Sequence, residues 1–269
     1  MNSLVLWLLF DDGNCSYTKS ILENNELFAN YDLVKAYAIG INDLKLPPVT
    51  KGNINWEYRK INLSLANVNL IKDLSELPSP DIVLASPPCE SFSMADCSCR
   101  MSQTYDSDKW IVRSREWYRN RALTVNVPNN TRDFIKKERN RLNGEGCASG
   151  LVHIIETFKP KAYVIENPRN SKIWEFLKNH WSFEGFKNIA YYYNYDLNFS
   201  QKPTCFMSNY SLNLKKQVLK DGYNKNHYKL GNYDKRSSIP TKLIADILKQ
   251  TINQLNCENI ESKKNLKNT

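Results

Sequence analysis

The apolar positions of the chain fall into short runs that stop at turn residues, separated by segments of helical period. Leu4–Phe10 is a run of seven residues that enters Asp11-Asp12-Gly13-Asn14-Cys15-Ser16, which predicts a buried strand, a turn and then a helix from Ser16 to about Ala29. Leu33 to Ile41 reads as a second strand with Asn42-Asp43 at its end. Pro47-Pro48 and Gly52 predict a loop, Glu57 to Leu63 a short third strand, and Ala66 to Leu74 a helix. Ile82–Ala85 is a further buried run; it stops at Pro87-Pro88, and Cys89 follows at once. Downstream, Leu151, Ile154, Ile155 and Phe158 share one face of a helix predicted over 148–158, and Pro160 ends it. Ala162–Ile165 predicts a strand that delivers Glu166-Asn167-Pro168. A helix over 173–177, strands over 189–194 and 205–207, and a loop over 211–235 come next. Pro240 suits the first turn of a last helix with Leu243, Ile244, Ile247, Leu248 and Ile252 on one face, and residues 262–269 read as a frayed end.

Strand, glycine-containing turn and helix, in that order, open a nucleotide-binding βαβ unit. An acid at the end of the second strand in such units binds ribose hydroxyls, which makes Asp43 a candidate. The prolines around Cys89 matter more. Two prolines fix their own φ and push the residue before them out of the helical region, so Cys89 sits on a stiff turn at the carboxyl end of a strand. That is where open α/β sheets place their chemistry.

The bulk numbers narrow the class. The 269 residues suit one large domain, and 41% hydrophobic residues allow a substantial core. The opening apolar run is too short to span a bilayer and lacks a signal-peptide layout, so an intracellular protein with no membrane partner is expected. Seven cysteines, an odd number, read as reduced thiols. Cys97 and Cys99 lack a second pair at zinc spacing, so no metal is expected. The net charge is +9, and residues 100–141 alone hold eight Arg and three Lys against five acids, interleaved with Tyr105, Trp110, Trp117 and Tyr118. Such a segment favours a polyanion.

Two strands thus end in Pro87-Pro88-Cys89 and Glu166-Asn167-Pro168. A thiolate and a carboxyl group together suit attack on an electron-poor pyrimidine. Sulfur adds to ring carbon 6 while the carboxyl group hydrogen-bonds or protonates ring nitrogen 3, and carbon 5 becomes nucleophilic. With these residues in view, the chain resembles the DNA cytosine-5 methyltransferase family, especially its small phage and mobile-element forms. The resemblance rests on Ser86-Pro87-Pro88-Cys89-Glu90-Ser91-Phe92-Ser93, on Lys161 through Glu166-Asn167-Pro168, on Gln201-Lys202-Pro203-Thr204 before Ser208-Asn209, and on Arg236-Ser237-Ser238-Ile239-Pro240. They follow the family's order across about residues 4–252.

The resemblance implies a doubly wound, mostly parallel α/β sheet of the Rossmann-like methyltransferase kind, with a small irregular DNA-facing lobe. One methyltransferase domain would cover residues 1–258, with a basic insertion over 94–147, a short recognition region over 205–235 and a polar tail over 259–269. It implies S-adenosylmethionine as donor, Cys89 as nucleophile, Glu166 as the partner of ring nitrogen 3, and support from Pro88 and Asn167. Phe10, Asp12, Gly13, Asn14, Asp43, Asn62 and Pro87 would bind the donor, and the last helix would pack beside the first strand. Double-stranded DNA would be the substrate, gripped by Arg100, Arg113, Arg115, Arg119, Arg169 and Lys202. A monomer in the cytoplasm of a bacterium or phage-infected cell, with a restriction endonuclease as candidate partner, would follow.

The sequence also departs from the family. The opening turn carries one glycine, Gly13, where the family has Phe-x-Gly-x-Gly. The expected acids align with Gly40 and Asn62, and Cys205 stands where a late arginine is expected. The alternatives are methylation of cytosine in RNA and a catalytically silent relative that binds DNA or protein.

Overall fold

The computed structural model describes residues 2–93, 114–124, 134–218 and 237–265. Eight strands form one mixed sheet: β1 (Ser3–Leu9), β2 (Leu33–Gly40), β3 (Val49–Lys51), β4 (Ile54–Lys60), β5 (Ile82–Ala85), β6 (Ala162–Pro168), β7 (Phe186–Tyr191) and β8 (Pro203–Ser208). Their spatial order is β3-β4-β2-β1-β5-β6-β8-β7. The central five, β4-β2-β1-β5-β6, are parallel, and antiparallel pairs flank them on both sides. The helices are α1 (Ser16–Glu23), α2 (Leu70–Ser75), α3 (Arg115–Thr124), α4 (Phe134–Phe158), α5 (Ile173–Trp181) and α6 (Thr241–Asn265).

Because side chains alternate across a strand, β1 feeds both faces of the sheet. Leu4, Leu6 and Leu8 point into a core with Tyr17 and Ile21 of α1 and with Leu243, Ile244, Ile247 and Leu248 of α6. Trp7 and Leu9 point into a second core with Leu70 and Leu74 of α2, Leu151 and Ile154 of α4, and Phe176 and Leu177 of α5. Each fully buried leucine contributes about 1.5–3 kcal/mol from leaving water. The protein is therefore an α/β fold with helices on both faces of a mostly parallel sheet, compatible with the Rossmann-like arrangement. The last helix packs on the face that carries Leu4, Leu6 and Leu8 of β1, as expected. No helix of the described residues is long and apolar enough to cross a membrane.

Several elements differ from the sequence reading. The stretch read as loop around Gly52 is a hairpin, with Gly52 at φ 61° joining β3 to β4. Glycine takes that left-handed conformation without steric cost. The third parallel strand accordingly runs Ile54–Lys60 rather than 57–63. The helix expected from residue 148 starts at Phe134. Gly144 and Gly146 argue against a helix interior. Arg141 counters them by binding Glu138 at 2.8 Å and Glu145 at 2.7 Å, three and four residues away. The first helix is shorter than expected: α1 stops at Glu23 and a 3-10 turn covers Asn25–Phe28.

The glycines of α4 have a packing role. Leu65 donates its backbone N–H to the Gly146 carbonyl at 2.8 Å, so the loop after β4 lies directly on the helix. A Cβ on Gly150 would lie 2.1 Å from the Leu63 carbonyl oxygen and 2.9 Å from the Leu65 nitrogen. Both are main-chain atoms and cannot swing aside. Gly150→Ala is therefore expected to lower stability by about 2–3 kcal/mol in urea denaturation through overpacking. A loss below about 0.5 kcal/mol, the level of an ordinary surface change, would contradict this packing.

Candidate active site

The chain reverses its direction across the sheet between β1 and β5: β2 and β4 lie on one side of β1, and β5 and β6 on the other. In open α/β sheets a crevice forms outside the carboxyl ends of the strands at such a switch. Here that crevice is a cavity of about 330 Å³. Its wall combines the turn after β1, the end of β2, the turn after β5 and the end of β6.

Register brings the two triplets together. Ile165 pairs with Ala85, the last residue of β5, so Ser86–Cys89 leaves the sheet beside Glu166–Pro168. Asn167 is fully buried and donates its side-chain amide to the Pro87 carbonyl at 3.0 Å. Phe92 pins the far end of the turn: it is fully buried, contacts the Phe176 ring at 5.6 Å between centroids, and its carbonyl accepts from the Lys172 N–H at 2.8 Å. Cys89 and Glu166 both line the cavity, as do Pro87 and Pro88.

The surroundings of the two groups set their charge. The Tyr192 hydroxyl donates to Glu166 Oε1 at 3.0 Å. Lys202 Nζ lies 3.9 Å from the same oxygen and 5.0 Å from the centre of the Tyr192 ring. Burial first, and then the charge of Glu166, holds the Tyr192 phenol well above its usual range, so it stays a donor. Burial also pushes the Cys89 thiol up to about 12; Glu90 and Glu166 act in the same direction, and Lys202 opposes them. Cys89 is thus a neutral thiol near neutral pH. Tyr17 and Ser86 share a 2.6 Å hydrogen bond between their hydroxyls on the same wall.

The other half of the cavity is built by consecutive acids. Asp11 is buried and caps α1: Oδ1 accepts from the Tyr17 N–H at 3.2 Å, and Oδ2 from the Thr18 N–H at 2.8 Å and hydroxyl at 2.6 Å. Even so, burial raises its pKa to about 6. Asp12 turns the opposite way. Its Oδ2 accepts from the backbone N–H of Ile41 at 2.7 Å and of Asn42 at 2.8 Å, just beyond β2. Phe10, Gly13, Asn14 and Asn62 also line the cavity, and Asn14 donates to the Ser237 hydroxyl at 2.8 Å, which joins the first turn to the start of α6.

The remaining expected site residues lie elsewhere. Asp43 is not part of the cavity wall; its side chain is 75% exposed and pairs with Lys60 at 3.7 Å. Arg115 and Arg119 are exposed on α3, and Arg169 is exposed beyond β6. Arg100 and Arg113, with Tyr105, Trp110 and the Cys97/Cys99 pair, lie outside the described residues. Arg141 belongs to the basic stretch but is 14% exposed and held by Glu138 and Glu145. Lys202, expected to contact DNA, lines the cavity beside Glu166. Tyr17 and Tyr192 were missed. Three consecutive tyrosines, 191–193, left no period by which to select the one that faces Glu166.

No protein-family model matches this chain, and no curated protein matches it either.

The electrostatics of Cys89 are open to measurement. Alkylation by iodoacetamide, read by peptide mass, is expected to be slower at Cys89 than at exposed Cys257 near pH ~8, because only the thiolate reacts. The Cys89 rate should still be climbing at about pH 10, since its thiol titrates near 12. Lys202→Met removes a cation that favours the thiolate, raises the pKa further and should slow labelling about tenfold. A Cys89 rate that levels off below about pH 9, or that ignores the Lys202 change, would contradict this reading.

Proposed function

We propose that the chain is an S-adenosylmethionine-dependent methyltransferase acting on carbon 5 of cytosine in DNA. The observation that carries the reading is that Cys89, on its Pro-Pro turn, and Glu166 share one cavity at the switch point of a parallel sheet. The size of that cavity falls within the range of small-molecule sites. Its wall near β1 and β2 offers a carboxylate and main-chain groups in the place where open α/β sheets take nucleosides. Phe10, Asp12, Gly13, Asn14, Asn62 and Pro87 would hold S-adenosylmethionine there, which when bound supplies an electrophilic methyl group.

The chain's own residues then have distinct tasks. The target base must leave the duplex to reach a cavity of this kind. Glu166 accepts a hydrogen bond from ring nitrogen 3 as that nitrogen becomes protonated, and the Tyr192 hydroxyl donates to the carboxyl group and fixes it in place. Cys89 gives up its proton, ring nitrogen 3 takes up a proton, and the sulfur adds to ring carbon 6, which turns carbon 5 into a nucleophile. Lys202 offsets negative charge as the sulfur ionises and as density moves onto the ring. After methyl transfer, removal of the carbon 5 proton lets the C–S bond break and returns the thiolate. Asn167 keeps the Pro87 carbonyl, and with it Cys89, in register with Glu166.

Incubation with labelled S-adenosylmethionine and either DNA or RNA, followed by digestion to nucleosides, tests the reading. Label in 5-methylcytosine from DNA is expected, and Cys89→Ser should abolish it. Label from RNA alone would move the substrate to RNA, label on an exocyclic amine would refute the reaction class, and no transfer with no donor binding would mark a silent relative. Basic residues of the 94–147 segment would bind phosphates. Replacing Arg113, Arg115 and Arg119 together by Ala should weaken DNA binding and make log K versus log salt shallower by about 2–3 units of slope. An unchanged slope would remove this segment from the DNA contact.

A further inference from the structure

Gly40 ends β2 without a side chain, and the space such a side chain would fill is already taken. A Cβ built on Gly40 would lie 2.2 Å from Asp12 Cγ, 2.4 Å from Asp12 Cβ and 2.4 Å from Asp12 Oδ2. The Asp12 carboxyl group therefore sits where the first carbons of an acidic side chain at position 40 would sit. It reaches that place from the neighbouring strand, because β1 and β2 pair in parallel with Leu9 opposite Ile39. Two hydrogen bonds hold it there, from Ile41 N–H and Asn42 N–H to Oδ2, and the Asn42 side-chain amide donates to the Asp12 main-chain carbonyl at 3.0 Å. Oδ1 accepts no hydrogen bond from the described residues, and Asp12, Gly40, Ile41 and Asn42 all line the cavity.

We propose that Asp12 is the carboxylate that receives the ribose diol of the donor nucleoside, taking over from the first strand a position that the second strand leaves empty at Gly40. The proposal rests on the reading of this cavity as a nucleoside-donor pocket. In parallel α/β sheets the sugar of a bound nucleotide lies at the end of the second strand, where a carboxylate oxygen accepts from its hydroxyls. Asp43, the acid next in line on the chain, is turned to Lys60 and solvent. With Oδ2 committed to two main-chain amides, the carboxylate is fixed before ligand arrives, and Oδ1 remains as the acceptor. Fixed acceptors lose less entropy on binding.

The test is calorimetric titration with S-adenosylhomocysteine and with its 2′,3′-dideoxy form. The wild-type chain should prefer the first by about 30-fold, the discrimination of a charge-assisted hydrogen bond. Asp12→Asn retains an oxygen acceptor for Ile41 and Asn42 but removes the charge; it should bind S-adenosylhomocysteine about as weakly as the wild type binds the dideoxy form, and distinguish the two little. Gly40→Glu alone should weaken binding by collision with Asp12, whereas Gly40→Glu with Asp12→Gly should restore diol preference. Melting curves show whether each variant is folded. A purely structural Asp12 would lower the melting temperature of Asp12→Asn while leaving its diol preference intact, and that result overturns the proposal. If the wild type binds S-adenosylhomocysteine but Asp12→Asn keeps full diol preference, the donor reading stands and Asp12 is excluded. If the folded wild type binds neither compound, the donor reading itself fails.

Discussion

The buried hydrogen bond from the Asn167 amide to the Pro87 carbonyl couples the two halves of the catalytic-looking wall. Proline provides no N–H, so the Pro87-Pro88 turn cannot continue the sheet ladder and must find its restraint through carbonyls and side chains. Asn167 provides it from inside β6, where its own position is set by pairing with Cys205 of β8. The placement of Cys89 relative to Glu166 is thus a property of sheet register and not of loop conformation. Phe92 closes the same turn from the other end by burying its ring beside Phe176. A turn tied at both ends to rigid elements can hold a reactive side chain within the tolerance that chemistry needs.

The same economy governs the opposite wall. Asp11 and Asp12 are adjacent, yet one caps a helix and the other secures the end of β2. Phe10 makes the split, adopting φ 63° directly after β1 so that successive side chains leave in different directions. Such a conformation is uncommon away from glycine and is retained where surrounding bonds enforce it. Here the Phe10 N–H is bound to the Ile39 carbonyl at 2.8 Å.

The parts of this arrangement that were legible in the sequence are those with a strong local signal. Apolar runs bounded by proline and glycine identified β1, β2, β5 and β6, and the α/β class followed from their alternation with helices. Cys89 and Glu166 could be paired because each closes such a run. What escaped was set by contacts distant in the chain. The amino-terminal half of α4 is polar with internal glycines, and its helicity depends on Arg141 and on the loop it packs against. Tyr192 meets Glu166 across a gap of 26 residues, and Lys202 joins them from the turn before β8. Asp43 had the expected type and nearly the expected position. The decisive fact was that Asp12 fills the side-chain space beside Gly40, which only the paired strands reveal.

The resting protonation of Cys89 follows from its burial first and from the charges around it second. Glu166 and Lys202 lie 3.9 Å apart and offset one another. Burial is the main reason the thiol is held near 12; a thiolate would also meet the negative charges of Glu90 and Glu166, which Lys202 only partly offsets. Under the proposed chemistry a pyrimidine changes that balance. It brings an electrophilic carbon to the sulfur and a basic nitrogen to the carboxyl side, so that the proton lost at Cys89 has an acceptor on the ring. Sulfur addition and ring protonation together leave the net charge of the cavity unchanged. A permanently ionised cysteine would be open to oxidation and alkylation. Under the proposed chemistry, a neutral one becomes a nucleophile only when the molecule that can take its proton is in place.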